Sequence, residues 1–335
     1  MPSHLGCASV APAQPKEAAL IYIEKAFRLE AAEGLGRYPR PELIGPLLTH
    51  LPAALQDAVR MGFLHSSRAK GRISTALKAA AQVRFASIDA AGDTATLLTF
   101  RVPRFGDAAP QLFEQGRMWD DGPSEDSTAF DLFGAAIRDV AERRENSVHF
   151  DEPLLRRLVS YDPLLKHGIS RISLEMSAGD ERPAIDQQVI ATARELSRKT
   201  PAARRVRIAG RLDLMGASQG VLKLHLRPGQ VVTALWSGVA PLEQYHEFFN
   251  REVVLEGSGV FRPSGSLLRL DADALVPATQ QDEFFREMPN ATPLRDYQHL
   301  ARQRTGEGSA FARLHGSVPA EESDEEFLAA LETLR

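Results

Sequence analysis

Few residues that could do chemistry in this chain stand at the spacings chemistry needs. Gly216-Ala-Ser-Gln-Gly220 matches the hydrolase pattern G-x-S-x-G, which works only where a strand turns sharply into a helix and lifts the serine out of the fold. Alternating residues flank this copy on both sides, so Ser218 reads as a hairpin-turn residue. Gly257-Ser-Gly259 has no continuation to G-K-S/T and no helix opening after it, so it is no phosphate cradle. The nine histidines (4, 50, 65, 149, 167, 225, 246, 299 and 315) never form H-x-x-x-H, and a lone Cys7 excludes both an intrachain disulfide and a thiolate-rich zinc site. Met118-Trp119-Asp120-Asp121-Gly122 lacks the twelve-residue ligand rhythm of an EF-hand, and nothing in the spacing of Asp126, Asp131 and Asp139 makes them converge. The expectation is a protein that binds, with no catalytic residue, metal or cofactor.

Charge points to two candidate binding surfaces. Overall, 40 Lys and Arg stand against 44 Asp and Glu, a net charge of -4 that excludes a wholly basic mode of nucleic-acid binding. Any basic surface is local, and the run from 205 to 227 supplies one. With a period of two, Val206, Ile208, Leu212 and Leu214 share one side of a strand, leaving Arg205, Arg207 and Arg211 on the other. In the next strand Leu222, Leu224 and Leu226 face in, leaving Lys223, His225 and Arg227 outside. Such a face is a candidate track for RNA or DNA, with Trp236 or Tyr245 available to stack on bases. It equally suits a solvated surface or a dock for an acidic element, including this chain's own closing segment. The exposed strand positions themselves carry no aromatic residue.

The elements that position these residues follow from periodicity. Ala19, Leu20, Ile23, Phe27 and Leu29 recur near helical spacing and predict a helix ending at Gly34 and Gly36. Leu43, Leu47, Leu51, Leu55, Val59 and Phe63 predict two short helices divided by Pro46 and Pro52. Gln82–Ile88 and Thr94–Val102, joined by Asp-Ala-Ala-Gly-Asp, predict a hairpin. Helices follow near 109–114, 128–144, 153–165 and 184–198, with a strand at 169–176. Then come strands at 205–215, 221–226, 231–236, 253–261 and 267–270, with a helical stretch at 241–250. Five short strands, a helix between the third and fourth, and Gly210 inside the long first strand give the order of an oligonucleotide/oligosaccharide-binding (OB) barrel. An SH3-like barrel or plain antiparallel sheet uses the same pattern. The expected class is α+β: a flexible leader 1–16, a mixed helical and hairpin domain 17–182, a connecting helix 183–202, the barrel 203–276, a linker 277–315 and a tail 316–335.

The tail is different in kind. Glu321, Glu322, Asp324, Glu325, Glu326 and Glu332 face only Arg335, a net -5 within twenty residues. Ser323 with Glu326 has capping-box spacing, and Phe327, Leu328, Leu331 and Leu334 form one apolar stripe. A helix of about three turns is marginal alone in water, so it lies on its own domain or folds on a partner. Asp324, Glu325 and Glu326 would then select a basic groove while the apolar stripe anchors.

The wording Gly316-Ser-Val-Pro-Ala-Glu-Glu-Ser-Asp-Glu-Glu-Phe-Leu-Ala-Ala-Leu-Glu-Thr-Leu334 resembles the tail of antitoxin-like proteins encoded beside PIN-domain ribonuclease toxins. Gly210–Ser218, Val260–Arg269, Phe130–Ala135 and Pro153–Arg157 are similar to large members of such toxin-antitoxin pairs, a likeness spread over most of the chain after residue 80. The resemblance implies a non-enzymatic antitoxin-like protein that binds and restrains a PIN-domain ribonuclease through protein–protein contacts of its tail. Members of this kind often cover the toxin's metal-binding carboxylates with a basic side chain. This tail offers only Arg335, so its acids are expected to meet basic residues beside the cleft. A nucleic-acid-binding regulator using the barrel's basic face is the alternative. With no apolar run near the roughly 20 residues that span a bilayer and no basic start before an apolar signal core, the expected setting is cytoplasmic, with no membrane partner.

Overall fold

Tyr22–Ala31 is a strand (β1) at the centre of a sheet, where helical spacing predicts a helix. Ile23, Phe27 and Leu29 satisfy a period of two as well as a helical one, with Glu24, Arg28 and Glu30 on the opposite side. Pairing decides between the two. Phe27 lies opposite Leu98 of β3 (Ala95–Pro103) and Leu174 of β4 (Ile169–Glu175), and Leu29 lies opposite Thr96 and Ile172 of the same two strands. Burial of Phe27 and Leu29 between both flanking strands outweighs a local preference worth tenths of a kcal/mol per residue.

A computed structural model of the chain describes residues 21–31, 40–68, 73–113, 122–175, 182–216, 220–226 and 229–291. The leader, Cys7, Trp119, Ser218, Arg227 and the whole tail lie outside the described residues. The first sheet has the order β2-β3-β1-β4-β5, all antiparallel, with β2 (Arg84–Ala90) and β3 forming the expected hairpin and β5 (Ala184–Ile185) at the far edge.

One face of that sheet is covered by helices. Pro41–Leu64 is a single helix of 24 residues (α1), running through both Pro46 and Pro52. Each proline removes a hydrogen bond and costs about 3 kcal/mol. Ile44, Leu47, Leu51, Leu55 and Val59 are all buried on one stripe, at roughly 1.5–3 kcal/mol each, so continuity wins. After α2 (Thr75–Ala80) and α3 (Phe105–Ala108) comes α4 (Ala129–Ala141), started by a reciprocal box in which Asp131 accepts from the Thr128 backbone and hydroxyl at 2.8 Å each. Its Phe130 packs 5.0 Å from the Phe27 ring. The stretch 153–165 divides into α5 (Glu152–Val159) and α6 (Asp162–Lys166). In α7 (Gln187–Lys199), Val189, Ile190, Ala193 and Leu196 are buried in this same core, so the segment forms part of the first body as well as joining it to the second.

Residues from 204 onward build a closed barrel in the order β10-β8-β7-β6-β9. Its strands are β6 (Arg204–Gly216), β7 (Val221–His225), β8 (Val231–Trp236), β9 (Glu252–Phe261) and β10 (Leu267–Pro277). Pairs are antiparallel except β8 with β10, which run parallel. A 3-10 segment, Leu242–Phe248, lies between β8 and β9 in place of the expected helix. Gly210 lets β6 pass the β7 backbone, since a Cβ there would sit 2.6 Å from the His225 carbonyl oxygen. The register of β6 slips at Asp213, so Leu214 leaves the barrel core, correcting its expected inward placement. Leu214, Val221, Leu235, Val260 and Leu268 instead pack on the first body. Arg269, nearly buried, crosses that junction and donates to the His65 carbonyl at 2.9 Å and to Asp271 at 2.8 Å. No described helix is long and apolar enough to cross a membrane.

Candidate functional site

The structure divides the expected basic face into two parts. Before Gly210, β6 pairs with β9, so Arg205 and Arg207 stand opposite Ser258 and Glu256. From Arg211 onward β6 also pairs with β7, and Arg211 lies opposite His225. Acids hold both parts, which a reading of the two basic strands alone left out. Asp213, the residue skipped by the register slip, lies 3.1 Å from His225 Nε2 and 3.8 Å from Arg211. Lys223 joins this second part through its pairing with Leu214 and Thr233. On the first part, Arg205 donates to both oxygens of Asp273 at 2.7 and 2.9 Å, and Arg207 forms an ion pair with Glu256 at 2.8 Å. Hydrogen bonds from Arg205 hold the Asp273 carboxyl below the usual carboxylate range, and the same bonds raise the guanidinium.

Aromatic residues are present after all, contributed by chain beyond the barrel. The 3-10 segment Gln280–Arg286 is started by Asp282, which accepts from the Thr279 backbone and hydroxyl at 2.8 and 2.7 Å. It carries Phe284 and Phe285 back over the outside of β6. Arg207 stacks on Phe285 with its guanidinium 4.9 Å from the ring centre, and Phe284 is 87% exposed. Arg204 covers the Phe261 ring at 5.2 Å and donates to the Asn290 carbonyl at 2.6 Å. Among the described residues, no carboxylate is paired with Arg204.

Together Arg204, Arg205, Arg207 and Glu256 on one wall, and Phe284, Phe285 and Glu287 to Asn290 on the other, enclose an open groove of about 750 Å³. Its three guanidiniums are positioned before any ligand arrives, Arg205 by carboxylates, Arg204 by an aromatic face and Arg207 by both. Such a lining can accept phosphate or carboxylate oxygens beside flat apolar groups. Phe284 and Phe285 fall in a polar stretch with no periodicity, so only an adjacent phenylalanine pair after a strand marks them in sequence. The expected stackers, Trp236 and Tyr245, pack against each other at 5.1 Å beside the barrel core, and the indole donates to the Ala240 carbonyl.

The other candidates separate. Asp126 pairs with Arg104, Asp131 with Lys25, and Asp139 with Ser147, His149 and Arg144. Among the described residues, no three His, Cys, Asp or Glu side chains gather closely enough to hold a metal ion. Gly216 ends β6 and lies opposite Val221 of β7, so the G-x-S-x-G stretch spans a strand-to-strand connection. Asp324, Glu325, Glu326, Phe327, Leu328, Leu331 and Leu334 lie outside the described residues. The chain matches no known family model, no curated protein and no solved structure.

Proposed function

We propose that the barrel is of the OB type and that the chain works by binding, gripping single-stranded nucleic acid in the arginine and phenylalanine groove. The strand order, the parallel β8–β10 pair and the helical segment between β8 and β9 support the barrel type. One observation carries the ligand: exposed Phe284 stands beside Arg204, Arg205 and Arg207, the combination of stacking platform and cations that single strands use. Glu256 and Asp273 reduce the local potential, so the affinity is modest and sensitive to salt. Fluorescence anisotropy with labelled oligo(dT) and oligo(U) tests this. Binding weakened by both Phe284→Ala and Arg204→Gln supports it, and binding indifferent to both refutes it.

The tail motif favours a second reading. An acidic helix start followed by Phe327, Leu328, Leu331 and Leu334 suits an antitoxin-like contact with a PIN-domain ribonuclease encoded nearby. Phe327→Asp with Leu331→Asp should abolish co-purification with that neighbour while leaving the thermal melt unchanged. Undiminished capture removes the tail from this role.

A further inference from the structure

The groove has chemistry for an acidic, aromatic-bearing peptide as well as for a nucleic acid, and the chain carries such a segment in its sequence at 316–335. We propose that residues 316–335 of this chain dock in the groove and compete there with the external ligand, a regulation that rests on the groove being the binding surface.

Three observations argue for this occupant. First, the described chain leaves from the groove itself. Asn290 lines it and is held by Arg204, while Ala291 is buried and donates to the Gly265 carbonyl at 2.8 Å. Second, the chemistry is complementary. Arg204 has no carboxylate partner among the described residues, and Arg205 and Arg207 are half-exposed beyond the acids that hold them. These guanidiniums suit Asp324, Glu325 and Glu326. Phe284, Phe285 and Met288 supply an apolar strip for Phe327 and Leu331.

Third, the reach is sufficient. Thirty-one residues lie between Ala291 and Ser323, and a coil of that length has an r.m.s. span of about 30 Å. Such a tether holds the segment at roughly millimolar effective concentration. A contact with a dissociation constant of about 0.1 mM would then reduce external binding about tenfold.

The experiment uses two full-length proteins, wild type and a tail variant with Asp324→Asn, Glu325→Gln, Glu326→Gln, Phe327→Ser and Leu331→Ser. One probe is a fluorescein-labelled peptide of residues 316–335, and the other is labelled oligo(dT). Saturable peptide binding to the tail variant, lost on adding Arg204→Glu, together with about tenfold tighter oligo(dT) binding than wild type, is the expected result. No saturation by 1 mM peptide, or peptide binding that ignores Arg204→Glu, overturns the proposal. Peptide binding with equal oligo(dT) affinity in the two proteins also overturns it, because the docked segment would not cover the site. If oligo(dT) binds neither protein while the peptide binds through Arg204, docking stands and the nucleic-acid reading fails.

Discussion

Replacing Glu256 with Gln should tighten nucleic-acid binding, although it removes an acid that holds two of the groove's arginines. Glu256 Oε1 lies 2.8 Å from Arg207 Nε as an ion pair, and Oε2 lies 3.6 Å from Arg205. A phosphate seated on the same guanidiniums would stand about 6 Å from that carboxylate, a repulsion of roughly 0.7 kcal/mol at a dielectric of 80 and about 1.4 at 40. Neutralising it therefore improves affinity about three- to tenfold at low salt. Gln keeps an oxygen for Arg207, and Asp273 still holds Arg205, so the groove's shape survives. Loss of partly exposed ion pairs should cost no more than about 1 kcal/mol of stability. Anisotropy titrations with labelled oligo(dT) at several salt concentrations measure the effect, which should shrink as salt rises. Unchanged or weaker binding by a normally folded Glu256→Gln protein would refute the electrostatic account of the groove.

Phe284→Ala should leave the urea midpoint within experimental scatter, because the ring is exposed, while losing about 1–3 kcal/mol of base stacking in anisotropy titrations. Gly257→Ala should destabilise the barrel by roughly 3 kcal/mol in urea unfolding, since its Cβ would stand 2.1 Å from the Asp271 carbonyl oxygen and force β9 from β10. Arg269→Leu should cost about 2–3 kcal/mol and loosen the junction between the bodies, seen as faster amide exchange at His65–Ser67. Asp273 titrates below its ordinary value when folded, so its stabilisation is complete above about pH 4 and is lost as pH falls through the lower folded value. Asp273→Asn should consequently flatten the fall in melting temperature below about pH 4.

Period-two alternation with punctuating turns made the barrel strands legible, because Leu222, Leu224 and Leu226 face one core and nothing competes with that pattern. The same logic failed at β1, where Phe27 and Leu29 fit both periods and sheet partners far along the chain decided. It failed again at Pro46 and Pro52, where tertiary burial of the α1 stripe outweighed two lost hydrogen bonds. Arg205 and Arg207 were readable as an outward pair, yet their partners Glu256 and Asp273 come from strands more than forty residues away. Spacing within β6 carries no trace of that neutralisation. Nor does it reveal the slip at Asp213, which turns Leu214 toward the other body. Phe284 and Phe285 owe their place to a 3-10 segment whose start depends on Thr279 and Asp282, a two-residue signal inside an aperiodic stretch.

The salt dependence of wild-type binding to a single strand tests the central claim most directly. Three groove arginines, Arg204, Arg205 and Arg207, predict a slope of log affinity against log salt near -2, at about 0.7 per phosphate contact. That slope should become shallower by about 0.7 in Arg204→Gln. Absence of detectable binding at low salt, or a slope near zero that Arg204→Gln leaves unaltered, would contradict the account.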